Sequence, residues 1–160
     1  MAEAQLSRVG DQAKDYFRLA LTLIQPAAPS LLAIGGLSGT GKSVLARNLA
    51  LELQPAPGAV VLRSDVERKA LYGGNQYEPL PDYAHAPEMT SKVYEVLRDK
   101  TRRLTRTGHS AIIDAVFARA DERRAIAEIA EDSRIKFAGL FLVAKYETEL
   151  CAKLGDGMKG

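Results

Sequence analysis

The apolar residues of the first third of the chain recur at two different periods. From Gln5 to Ile24, Leu6, Val9, Ala13, Phe17, Ala20, Leu21 and Ile24 return every three or four positions, which predicts an amphipathic helix ended by the prolines of QPAAPS. SLLAI then makes a short unbroken apolar run between turn residues, the pattern of a strand buried on both faces. A helix is predicted from about Lys42 to Leu53, closed by QPAPG. The alternation continues with a strand over AVVLRSD (59–65), a short helix from VERKALYG and a polar, proline-containing loop, GGNQYEPLPDYAHAP. A long helix over about 87–107 follows, closed by Gly108. Next come a strand SAIIDAVF (110–117), a helix ADERRAIAEIAEDS, a strand KFAGLFLVA (136–144) and a last helix YETELCAKLG. Strands alternating with helices predict an α/β architecture of three layers, with a parallel sheet of about four strands covered on both faces.

Composition narrows the class. With 160 residues, 46% hydrophobic and 26% charged, the chain suits one soluble globular domain. Residues 1–28 form an N-terminal helical segment and 29–160 the domain proper. The net charge of +2 is too small to call for a nucleic-acid partner. A single cysteine, Cys151, permits no intrachain disulfide, and charges interrupt the N-terminal helix too often for a signal peptide. No apolar run approaches the ~18 residues of a membrane span. A cytoplasmic location without a membrane partner is the expectation. His85 and His109 stand alone, with nothing at zinc-ligand spacing. The cations Arg98, Lys100, Arg102, Arg103 and Arg106 suit the negative end of the long helix.

The chemistry enters at the junction of the first strand and the second helix. Gly36, Leu37, Ser38, Gly39, Thr40, Gly41, Lys42 and Ser43 spell G-x-x-x-x-G-K-S, with Val44 opening the next turn. In such a loop, glycines let the backbone fold so that successive N–H groups point at phosphate oxygens, where a side chain would obstruct the approach. The following helix adds the positive end of its dipole. Lys42 can reach the β and γ phosphates, and the Ser43 hydroxyl can ligate magnesium. The ligand expected is ATP with Mg2+. A dinucleotide fingerprint is not spelled, because Val44 stands where its last glycine would be.

Ligands of open parallel sheets gather at the carboxyl ends of the strands, and two aspartates fall there. Asp65 ends AVVLRSD; it could accept the proton of an attacking hydroxyl or cap the helix that follows. Asp114 follows the apolar AII, as in a Walker B segment whose carboxylate holds magnesium; a plain polar strand end is the alternative. Arg68, one turn beyond Asp65, could hold an anionic acceptor or the transferring phosphate, or line a solvated face. Arg119 could reach substrate or lie on the surface.

Together, LLAIGGLSGTGKSVLARNLA, VVLRSDVERKALYG and SAIIDAVFARADERRAI resemble the P-loop kinase module fused behind aminoglycoside-phosphotransferase-like domains in bacteria. More distantly they resemble polynucleotide kinase, chloramphenicol phosphotransferase and zeta-toxin kinases. The likeness spans roughly residues 16 to 144. It implies an adenylate-kinase-like core with ATP on the loop, Asp65 as acceptor-activating base, Arg68 as a substrate contact, and Asp114 near metal and acceptor. Such kinases continue past the fourth strand into an arginine-bearing lid, which KYETELCAKLGDGMKG does not resemble. A partner or fused domain completing the lid is therefore an expectation. The activity expected is transfer of phosphate from ATP to a hydroxyl of a small molecule. A non-catalytic ATP-binding module or a simple ATPase is the alternative.

Overall fold

The computed structural model describes residues 2–24, 28–73, 80–81, 84 and 86–144, with side chains from residue 7 onward. Its elements are α1 (Ala2–Ile24), β1 (Ser30–Gly36), α2 (Lys42–Ala50), β2 (Val60–Arg63), α3 (Ser64–Tyr72), α4 (Pro87–Arg106), β3 (Ala111–Asp114), α5 (Ala120–Ser133) and β4 (Lys136–Leu142). The predicted helix over YETELCAKLG, most of the loop after Tyr72, Cys151 and His85 lie outside the described residues.

The four strands form one parallel sheet in the order β2-β3-β1-β4. Alternation along each strand sorts the core into two layers. Leu31, Ala33, Ala111 and Ile113 face α4 and α5, where they meet Val93, Leu97, Ile126 and Ile129. Leu32, Ile34 and Ile112 face the opposite way, against Ala46 and Ala50 of α2. Ile112 and Ile113 are fully buried, and a side chain of that size contributes about 1.5–3 kcal/mol on leaving water. The three-layer α/β architecture expected from the alternating pattern is therefore the one observed.

Two boundaries differ from the sequence expectation, each for a physical reason. α2 stops at Ala50, where the chain turns so that Ala59 N–H can donate to Ala50 O at 2.8 Å. β2 ends at Arg63, so Asp65 is not a strand residue but sits in the first turn of α3. There its negative charge favours the helix N-terminus without a side-chain cap. The helix of the amphipathic N-terminal pattern is present, but α1 is not buried: Phe17 is 66% exposed and Val9 and Ile24 are exposed beside it. Similarly β4, a strand of the sheet expected to be covered on both faces, leaves Phe137, Leu140 and Phe141 exposed.

Sheet register decides what stands beside what at the carboxyl ends. Ile34 of β1 pairs with Asp114 of β3, and Asp114 in turn pairs with Arg63 of β2. The last residue before the glycine loop, a buried carboxylate and a guanidinium thus lie in one row across the sheet.

Candidate active site

Beyond that row, β1 opens into the loop, and its shape depends on glycine. Gly36 has φ +139°, and a Cβ there would stand 2.5 Å from the backbone oxygen of Leu142 on the neighbouring strand. Gly39 and Gly41 also have positive φ, 83° and 86°. No L-residue adopts this succession cheaply, which is why the sequence signal is so legible. Gly41 caps α2 with its carbonyl, which accepts from Val44 and Leu45 N–H at 3.1 Å each. Thr40 Oγ1 donates to Leu37 O at 2.8 Å and Lys42 Nζ to the same oxygen at 2.5 Å, so the lysine lies across its own loop.

A cleft of about 560 Å³ runs from this loop to α3, lined by Lys42, Ser43, Arg63, Asp65, Arg68 and Asp114 among others. Ser38, Gly39, Gly41 and Val44 line it too, whereas Gly36, Leu37 and Thr40 shape the loop from behind. Ser43 Oγ donates to Asp114 Oδ2 at 2.5 Å. Asp114 is 4% exposed, and a carboxylate so buried requires partners. Burial pulls the Lys42 ammonium below the ordinary lysine value, with Asp114 and then Asp65 partly opposing the shift. Both carboxylates therefore act on the same ammonium.

Asp65 is placed differently. Its carboxylate is 57% exposed, and Oδ2 accepts from Arg63 Nη2 at 2.9 Å. Arg68 Nη1 donates to Ala84 O at 2.8 Å and Thr90 Oγ1 at 3.2 Å, tying α3 to α4 while its side chain walls the cleft. A smaller cavity of about 230 Å³ adjoins here, sharing Ser64, Arg68 and Val116 and reaching Tyr94 and Glu122. Glu67, 7% exposed, accepts two hydrogen bonds from Lys100 Nζ at 2.7 Å and fixes α3 on α4 a second time.

Arg119 is not brought to the cleft. Its guanidinium forks onto Asp121 at 3.0 and 2.8 Å on the solvated start of α5, and that pairing raises the arginine and lowers the aspartate from their ordinary values. Conversely, Arg63 was not among the residues singled out from sequence. The signal was there: a cation as the last residue of the apolar strand AVVLR, at the end where ligands gather. Also unforeseen is the brace behind β3, where Tyr94 OH accepts from Phe117 N–H at 2.9 Å and Arg123 Nη1 donates to Phe117 O at 2.6 Å. Burial pushes the Tyr94 phenol up, so it stays neutral.

The donor set can be tested against magnesium. Ser43 Oγ and Asp114 Oδ2 are hard oxygens converging at the loop, as this cation requires. Among the described residues no three acidic, histidine or cysteine side chains cluster into a cage. Magnesium in nucleotide sites is generally held by one or two protein oxygens, with the remainder from phosphate and water. No described helix is long and apolar enough to cross a membrane.

A family model described as an AAA domain matches residues 31–151. No curated protein matches the chain. Among solved structures, a putative kinase from Chloroflexus aurantiacus J-10-fl superposes with a TM-score of 0.62 at 18% identity, over 83% of this chain and 71% of that one. The Mycobacterium tuberculosis APS kinase CysC, in complex with AMPPNP and APS, gives 0.59 at 22% identity, over 84% and 75%. A gluconokinase from Sinorhizobium meliloti 1021 gives 0.50 at 19%, over 83% and 67%. At these identities the likeness is one of fold, and the fold shared is that of P-loop kinases.

Proposed function

This chain belongs to the AAA-domain family, and we propose that it is an ATP-dependent phosphotransferase acting on a hydroxyl of a small molecule. One observation carries the reading: a half-exposed carboxylate, Asp65, faces the same cleft as the phosphate loop and the Ser43–Asp114 pair. Mere nucleotide holding needs the loop, but it gives no use to an accessible carboxylate opposite it.

In this reading the N–H groups of 38–44 and the start of α2 cradle the triphosphate, and Lys42 leaves Leu37 O for the β and γ phosphates. Ser43 and Asp114 would hold magnesium, which neutralises phosphate charge when bound. Asp65 takes the proton of the acceptor hydroxyl as its oxygen forms a bond to the γ-phosphorus. The bond from that phosphorus to the β–γ bridging oxygen breaks, and ADP leaves with the electron pair. Arg68 stands where it can orient the acceptor, whose body the adjoining cavity would receive.

Product analysis with ATP, magnesium and a panel of hydroxylated metabolites, aminoglycosides and nucleosides tests this. A phosphorylated acceptor supports it. Release of inorganic phosphate alone identifies an ATPase, and binding without turnover identifies a regulatory module.

A further inference from the structure

Arg63 has two carboxylates within reach and satisfies them unequally. Its Nη2 makes a hydrogen bond to Asp65 Oδ2 at 2.9 Å, whereas its Nε lies 3.5 Å from Asp114 Oδ2. That Nε is buried and has no hydrogen-bond partner. A buried donor left unpaired is costly, and an arginine that tolerates it is held there by charge rather than by geometry. The oxygen it faces is also the one that accepts from Ser43 Oγ. Three groups therefore meet at this point: the Asp114 carboxylate, the loop hydroxyl and the guanidinium.

Two of the three are the oxygens that the proposed function assigns to magnesium, and the third is a cation. A divalent ion brought to Ser43 and Asp114 meets Arg63 as a like charge at close range, and both cannot remain against one oxygen. The guanidinium has a second carboxylate already in hand. We propose that Arg63 is a positioning residue that competes with magnesium for Asp114 and is passed wholly to Asp65 when the ion binds. Loading of the metal–nucleotide and fixing of the acceptor base then become one event. The Nε released from Asp114 is free to make the hydrogen bond it lacks here, to Asp65 or to a phosphate oxygen. Sheet register supports this arrangement, because it pairs Arg63 with Asp114 directly.

The proposal rests on Ser43 and Asp114 facing the metal, and its test is chosen to separate the two claims. Binding of the non-hydrolysable analogue AMPPNP is followed by calorimetry over a magnesium titration, so no turnover is needed. Arg63→Gln removes the competing charge, and the magnesium needed for half-maximal binding should fall roughly 3- to 10-fold. In an Asp114→Asn background the same substitution should have no effect on that value, because no carboxylate remains to be contested. A general field effect of the lost cation would persist in that background and would overturn the proposal. An unchanged or raised requirement in Arg63→Gln overturns it as well. Should Arg63→Gln not fold, Arg63→Lys decides: a single ammonium cannot span both carboxylates, so a smaller fall is expected, and a wild-type requirement rejects the idea. Wild-type AMPPNP binding that ignores magnesium would remove the metal-facing reading itself, and this inference with it.

Discussion

The two walls of the cleft are built from different materials. On the β1–α2 side, the shape is in the backbone: Gly36, Gly39 and Gly41 adopt conformations other residues avoid, and the helix that follows starts at the cleft with Lys42 and Ser43. On the α3–α4 side, the shape is in the side chains: Arg63 on Asp65, Arg68 on Ala84 and Thr90, Lys100 on Glu67. A backbone-built wall suits a ligand part that never varies, such as a triphosphate. A side-chain-built wall can be re-cut by substitution, as recognition of an acceptor demands.

The largest expected effect would break the comparison cleanly along this line. Asp65→Asn should cut transfer to an identified acceptor by about 10²- to 10⁴-fold while leaving ATP affinity at saturating magnesium intact, since a base serves the hydroxyl and not the triphosphate. Its exposed pairing with Arg63 contributes little to stability, so the loss should appear in kcat rather than in the melting temperature. Parallel loss of ATP binding would show that the two walls are not separable.

Next comes Gly36→Ala. The new methyl would have to enter at φ +139° against the fixed oxygen of Leu142, which no side-chain rotation relieves. The cost should be about 2–4 kcal/mol, read from the denaturant midpoint. An unchanged midpoint would mean that the loop is not held by β4.

Lys42→Ala should weaken ATP binding by roughly 10- to 100-fold, the loss of one charge-assisted contact, with little change in fold stability. The same lysine carries a pH signature. Burial lowers its pKa in the folded protein, so the ammonium is lost as pH rises through a value below the ordinary lysine one. ATP affinity should therefore begin to decline below pH 10.5, the ordinary lysine value, and titrations at several pH values will show whether it does.

The smallest effect sharpens the side-chain wall. Lys100→Met leaves Glu67 buried without its partner, but solvent reaches the lysine, whose side chain is 47% exposed. A loss of about 1–2 kcal/mol in thermal or chemical unfolding is expected. ATP affinity should stay the same.

The difference between the walls also explains what could be read in advance. The phosphate loop is legible because its conformation restricts residue type: a lysine and glycines at fixed spacing after an apolar run leave few other uses. Asp114 was legible for a related reason, as a charge ending an apolar strand. Arg63 ends a strand in the same way, yet its meaning depends on β3 lying between β1 and β2, and strand order is not written in local periodicity. For Arg119 the surface reading of the two left open is the one the structure favours: sequence proximity to Asp114 is not spatial proximity, and the turn after β3, held by Tyr94, carries it to the solvated start of α5. The apolar stripe of α1 marked a helix but could not say what covers it. Within the described residues its side chains stay largely exposed.

The central place of β1 carries a consequence for how the protein is made. It leaves the ribosome ahead of the other three described strands, but β2 does not touch it; its neighbours in the sheet are β3 and β4. Ser30 N–H waits for the hydroxyl of Ser110, 80 positions downstream. At the usual pace of synthesis that is roughly 4 to 16 s during which a strand of buried residues has no edge to pair with. The glycine loop, whose Gly36 is closed by Leu142 on β4, can take its final shape only after nearly the whole described chain has emerged. The earliest-synthesised part of the site is thus among the last to form, and nascent chains arrested before β4 should hold no nucleotide.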